Sequence, residues 1–228
     1  ITEIYEYLRL LFARMGEPAL NPAVIDVLDE IESRYDIPGF LPSVSTIAPA
    51  GGTGDFFDRL LDLKRRKFSA GRFQLQFSIH TTDEELRNKI VPVKKWSFAQ
   101  IEDYVNDFHE NGDKKITLNF ALAKETPLEP EMLLKHFSPG KFILKVTPIN
   151  PTHRAIENKM VSYIDAYNGH HDYEVINSLQ AAGYDVILSI GEVEENRIGS
   201  NCGQFVMRHL EAKSPAGVDG RQGYDYWE

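Results

Sequence analysis

The sequence predicts an α/β fold built on a parallel sheet. Short apolar runs alternate repeatedly with amphipathic stretches along the chain. The amphipathic stretches are long enough to cross over between parallel strands. At least six strands come with helices between them, which suits an open or partial barrel better than a complete eightfold one.

The elements follow in order. "LRLLFA" (Leu8 to Ala13) reads as a buried strand. "NPAVIDVLDEIESRY" is a helix with Asn21 as N-cap and Pro22 at the first helical position, and Ala23, Val24, Val27, Leu28 and Ile31 share one face. "FLPSVSTIAP" (Phe40 to Pro49) is the second strand and "DFFDRLLDLKRR" (Asp55 to Arg66) the second helix. "RFQLQFSIH" (Arg72 to His80) alternates at period two, the strand period. "TTDEELRNKI" then has capping-box spacing from Thr82 to Glu85.

In "SFAQIEDYVNDFHENG", Phe98, Ile101, Tyr104, Val105 and Phe108 recur at helical spacing until Gly112 ends the pattern. Strand "KITLNFALA", helix "EPEMLLKHF" and strand "KFILKVTPIN" follow. A less regular stretch with Gly169, His170 and His171 leads into helix "YEVINSLQAAGY" and strand "YDVILSIG". Residues 1–210 are expected to form one domain. Residues 211–228, rich in Gly, Pro and charge, read as a flexible tail.

Composition narrows the function classes. The 228 residues are 42% hydrophobic and 26% charged, as in ordinary globular proteins. No apolar stretch approaches the roughly 20 residues of a membrane span, and no signal peptide opens the chain, so a cytoplasmic setting is expected. A net charge of −9 opposes broad, non-specific binding to a phosphate backbone. Basic residues still cluster in "LKRRKF" (Leu63 to Phe68) and "VPVKKW" (Val91 to Trp96), which read either as solvated helix ends or as an RNA-facing edge. The single cysteine, Cys202, can neither close an internal disulfide nor by itself supply a metal site.

In parallel α/β folds the ligand site lies at the carboxyl ends of the strands. Those ends collect Glu17, Ser45, Ser78, His80, Asn150 and Cys202. Each has an ordinary reading: a turn carboxylate before Pro18, common strand serines, a structural histidine, an Asn-Pro turn, an inert packing thiol. Their shared position favours a polar-ligand site. The small residues around Cys202, in "RIGSNCGQFVM", are unlike the bulky neighbours of a core thiol.

Five motifs in order carry a resemblance: "RMGEPALN" (Arg14 to Asn21), "VSTIAP" (Val44 to Pro49), "FSIHTTDEELRNKIVPVKKW" (Phe77 to Trp96), "TPINP" (Thr147 to Pro151) and "NCGQF" (Asn201 to Phe205). Together they resemble the radical S-adenosylmethionine (SAM) enzymes that methylate carbon 2 of adenine in 23S rRNA and tRNA. The resemblance implies a partial (β/α)6-type radical SAM barrel. It implies that Gly16 and Glu17 hold the SAM amino group, that Ser45, Ser78, Ile79 and His80 line its ribose and methionine portions, and that Asn150 contacts it from the far side.

Cys202 matches the cysteine that accepts a methyl group from SAM and carries it to the adenine. Carbon 2 of adenine has no useful nucleophilicity, which is why the family routes the methyl through a radical on a protein sulfur. The C-x-x-x-C-x-x-C motif that holds the family's 4Fe–4S cluster is absent from this chain, as is the family's second reactive cysteine. "VSTIAPAGG" and "LNFALAKETPLEP" depart from the family's usual wording, with Asn119 near the position of a Glu. The expectation is the C-terminal portion of such an RNA methyltransferase, its first strand and cluster loop missing, inactive as this chain alone. The alternative is a degenerate relative without the cluster that serves as a SAM-binding, RNA-binding or protein-interaction module.

Overall fold

The computed structural model describes residues 8–13, 16–149, 159–165 and 173–190. The order is β1 (Leu8–Phe12), α1 (Ala23–Arg34), β2 (Phe40–Thr46), α2 (Phe56–Lys67), β3 (Gln74–Ser78), α3 (Glu84–Ile90), α4 (Phe98–Phe108), β4 (Ile116–Ala121), α5 (Pro130–Leu134), β5 (Phe142–Thr147), α6 (Glu174–Ala181) and β6 (Val186–Leu188). All six strands run parallel, in the sequential order β1-β2-β3-β4-β5-β6. Sequential parallel order with helical crossovers is that of an arc of a (β/α) barrel, so the fold is α/β and barrel-like, as expected. The proposed tail lies outside the described residues.

The two faces of this sheet differ in chemistry. Leu75 and Phe77 of β3, Leu118 and Phe120 of β4, and Leu144 and Val146 of β5 join one buried apolar cluster with Leu28 of α1, Leu60 and Leu63 of α2, and Ile101 and Val105 of α4. Each fully buried Leu or Phe there contributes roughly 1.5–3 kcal/mol. The alternate positions are mostly polar, with Ser43 and Ser45 on β2, Gln74, Gln76 and Ser78 on β3, Thr117 and Asn119 on β4 and Lys145 on β5, while Leu41, Ile143 and Ile187 are apolar. Parallel strands covered on both faces by helices read as continuous apolar runs. Here period-two alternation in a parallel sheet marks a second face lined by polar groups.

That polar face is cross-linked. Arg9 donates to Ser43 Oγ at 3.4 Å, Gln76 Nε2 to Ser43 Oγ at 2.8 Å, and Asn119 Nδ2 to Gln76 Oε1 at 3.3 Å. Gln74 Nε2 donates to Thr117 Oγ1 at 3.0 Å.

Local signals are corrected in three places. β1, read as a buried strand, is the edge of the described sheet, with Leu8 and Leu11 exposed. Helix α1 begins at Ala23, and Asn21 Oδ1 accepts from the Ala23 N–H at 3.1 Å, so Asn21 caps from one residue further out than the pattern implied. At α3 the cap is Asp83, whose Oδ1 accepts from the N–H groups of Glu85 and Leu86 at 2.8 and 3.0 Å. Thr82 is buried and bonds instead to Pro127 O and Glu129 N, tying this turn to the segment after β4. The reciprocal capping box stands one helix later, between Ser97 and Gln100.

Candidate functional site

The carboxyl ends of β2, β3 and β4 bring together most of the residues singled out from sequence. Gly16 has φ +87, a left-handed conformation that glycine adopts without strain, although nothing lies where a Cβ would project. It turns the chain from β1 into a 3-10 turn, Pro18–Leu20, capped by Glu17. The Glu17 carboxylate accepts from the Ala19 N–H at 3.0 Å, from the Ile47 N–H at 3.0 Å and from the Thr46 hydroxyl. It thereby joins the β1 exit to the β2 exit. Three donors leave lone-pair capacity on an ionised carboxylate, which has about four acceptor sites.

Ser45, half-buried, receives Asn119 Nδ2 at 3.5 Å and so connects to the polar face. Ser78 is half-buried at the end of β3, in register with Asn119. Ile79 is fully buried in the apolar cluster, which leaves its backbone rather than its side chain to meet a ligand. The N–H groups of Ile79 and His80 both donate to Asn119 O, at 3.0 and 3.2 Å.

His80 has φ +69, uncommon for a residue with a Cβ. The conformation brings its ring back over β4, where Ala121 N–H donates to Nδ1 at 3.3 Å. A backbone donor on Nδ1 makes Nε2 the protonated nitrogen of the neutral ring. Burial, and secondarily the charge of Arg87, push this imidazole down to about 4. His80 is thus a neutral Nε2–H donor at physiological pH, and part of its surface remains open.

Asn150 and Cys202 lie outside the described residues, so their placement relative to this cluster is not part of the structure. Among the described residues no three His, Cys, Asp or Glu side chains converge as a metal-binding group. With one cysteine in 228 residues, the chain does not fit a 4Fe–4S cluster by itself. The strand ends offer a polar ligand a carboxylate with spare acceptor capacity, two serine hydroxyls, a neutral imidazole donor and a polar sheet face.

The two basic clusters separate. In the first, Lys64 is buried and pairs with Asp113 and Glu110, Arg65 with Glu110, Arg66 with Asp62 and Lys67 with Asp29. It is the last turn of α2, with Arg65 and Arg66 half exposed as a solvated helix end would have them and Lys64 buried, and its charges form an ion-pair network at the amino end of the sheet. The second cluster lies beside the site. Ala50 N–H donates to Lys94 O at 3.0 Å and Trp96 N–H to Ala48 O at 2.8 Å, so this segment runs along the loop leaving β2, with Lys94 exposed.

Sequence reasoning did not single out Thr46, Gln76 and Arg87. The two glutamines of β3 were visible as alternating polar positions, but period two alone does not say which face meets ligand. Arg87 sits in a charged helical run where burial of one charge has no sequence signature.

No protein-family model matches the chain, and no solved structure matches it. Curated proteins do. The chain is 25% identical over 208 residues to the probable dual-specificity RNA methyltransferase RlmN of Corynebacterium diphtheriae, which covers 86% of this chain and 51% of that protein. The chain is a partial match to RlmN. The proteins of that name from Mycolicibacterium vanbaalenii and Rhodococcus opacus are 24% and 27% identical over the same 86% of this chain. The chain spans about half the length of the curated relatives it matches. Among the described residues no helix is long and apolar enough to cross a membrane.

Proposed function

We propose that this chain is the barrel portion of a radical SAM RNA methyltransferase that methylates an adenine carbon of rRNA or tRNA, with Cys202 as the methyl carrier. The observation that carries this reading is the relationship to RNA methyltransferases named RlmN over 86% of the chain. SAM supplies the methyl group. In this reading Glu17 accepts hydrogen bonds from the SAM ammonium, and Ser45, Ser78 and the Nε2–H of His80 orient its ribose and methionine portions. The Ile79 backbone meets the ligand while its side chain stays in the core, and Asn150 holds the ligand from the far side. A neutral His80 suits this role, because an imidazolium would repel the sulfonium of SAM. Exposed Lys94, at the same end of the sheet, offers a contact to RNA phosphate.

This sequence has no cysteine beyond Cys202, so on this reading the family's iron–sulfur cluster would be held by residues outside it and this chain alone would be inactive. The test is RNA methylation by the longer protein that contains this chain, with adenine products resolved by mass spectrometry. Cys202→Ala abolishes methylated adenine if the reading holds; undiminished methylation in that variant overturns it. The single cysteine also favours a second reading, a relative without the cluster that binds SAM or RNA and transfers nothing. A complete open reading frame without three further cysteines would select it.

A further inference from the structure

We propose that Arg87 is a positioning residue of this site: its guanidinium ties the end of β2 to the end of β3 and fixes the Ser78–His80 turn in its ligand-facing geometry. What ligand that turn meets rests on the reading above; the positioning does not.

Arg87 is the one buried residue of α3 and only 1% exposed. Arginine is almost never buried without an ionic partner, yet none of the described carboxylates forms an ion pair with it. Glu84, the nearest candidate, accepts the Phe98 N–H at 2.7 Å and acts on Arg87 only through space. The guanidinium instead meets backbone carbonyls. Nη1 donates to Trp96 O at 2.7 Å, and Nη2 to Ile47 O at 3.3 Å and Ser78 O at 3.5 Å. The Phe98 ring lies 5.6 Å from the guanidinium carbon. Nε is buried and has no partner.

Those carbonyls belong to the residue after β2, the last residue of β3 and the residue before the α4 cap. The N–H of the same Ile47 is held by Glu17. Glu17, Ile47, Arg87 and Ser78 therefore form one continuous tether across three strand exits, ending two residues short of His80. A methionine would fill this volume at far smaller desolvation cost. What only arginine supplies is a planar fork of donors able to hold carbonyls from three segments at once.

The charge has effects of its own. Burial pushes the Arg87 guanidinium down to about 10, opposed by Glu84, and it stays protonated at neutral pH. Arg87 faces His80 and Lys95, and its charge disfavours the protonated form of each, in both cases after the larger effect of burial. Arg87 thereby helps keep His80 a neutral donor.

The test is an NMR titration of the His80 ring in the full chain, with nitrogen tautomer assignments, in wild type, Arg87→Lys and Arg87→Met. Wild-type His80 is expected to stay neutral and Nε2-protonated down to about pH 5. Arg87→Lys keeps the charge and loses the fork, so the tautomer becomes mixed and the titration midpoint climbs by about one pH unit. Arg87→Met raises it further. A folded Arg87→Lys protein with the wild-type midpoint and tautomer overturns the proposal, since a purely structural or purely electrostatic Arg87 predicts that rescue. Should Arg87→Met fail to fold, Arg87→Lys alone decides. In a parallel SAM titration of the same samples, absence of any response in wild type overturns the ligand assignment and leaves the His80 titration to judge Arg87.

Discussion

The two ends of the parallel sheet handle charge in opposite ways. At the amino end, charge meets counter-charge: Lys64 is 1% exposed and pairs with Asp113 and Glu110, while Arg65, Arg66 and Lys67 each reach a carboxylate. At the carboxyl end, charge meets neutral dipoles. Glu17 is held by two N–H groups and a hydroxyl, and Arg87 by three carbonyls, while the neutral His80 ring is fixed by one N–H. A charge cancelled by a neighbour has little field left for a ligand. A charge held by dipoles is fixed in place and still acts on what enters. The difference supports the proposal that the amino end serves stability and the carboxyl end binding, in line with the general place of ligand sites in α/β folds.

The comparison can be broken first at the amino end. Asp113→Ala should cost about 3–5 kcal/mol in chemical denaturation, because it strips the buried Lys64 ammonium of its most buried partner. A loss below 1 kcal/mol would mean that the network is surface decoration. Glu17→Ala, at the carboxyl end, should cost less, about 1–2 kcal/mol, by removing a cap and the acceptor of Thr46 and Ile47. Glu17→Ala should weaken SAM binding out of proportion to its stability loss.

Stability against pH sharpens the contrast. The folded-state value of His80 lies below its ordinary 6.5, at about 4, so the folded state binds fewer protons than the unfolded chain between those limits. Its contribution is fully present above pH 6.5 and declines toward pH 4, at up to about 1.4 kcal/mol per pH unit. His80→Gln should flatten that part of the denaturation profile. Asp113 titrates in another window. Burial alone would raise its carboxyl, but the hydrogen bond from Lys64 and the N–H groups of Glu110 and Gly71 hold it below the usual 3.8. Its contribution is therefore lost only as pH falls beneath that range. The smallest effect belongs to the exposed Glu30–Arg34 pair of α1, where Arg34→Ala should change stability by no more than about 0.5 kcal/mol.

How much of this was legible in the sequence depends on the range of the interaction. Strands and helices were readable because apolar spacing is local, and the end-of-strand rule then gathered Glu17, Ser45, Ser78 and His80 at one rim. Cap identity was harder. Thr82 and Asp83 are both competent caps, and the contact that decides between them is with Pro127, 45 residues away from Thr82. The ion pairing of Lys64 with Asp113 and the burial of Arg87 were not legible at all. Both depend on partners brought together by the packing of separate βα units, and neither leaves a periodic trace. The same rule put Asn150 and Cys202 at that rim, where only the resemblance gave them roles, and both lie outside the described residues.

The central claim is that the carboxyl end of the sheet is the binding end. The direct measurement is amide chemical-shift mapping of the full chain during titration with S-adenosylmethionine. The account predicts saturable shifts at Gly16, Ser45, Ser78, Ile79 and His80, with Gly71, Asp113 and Lys114 at the opposite end unmoved. Shifts concentrated at the amino end, or none at ligand saturation of the assay range, would contradict it.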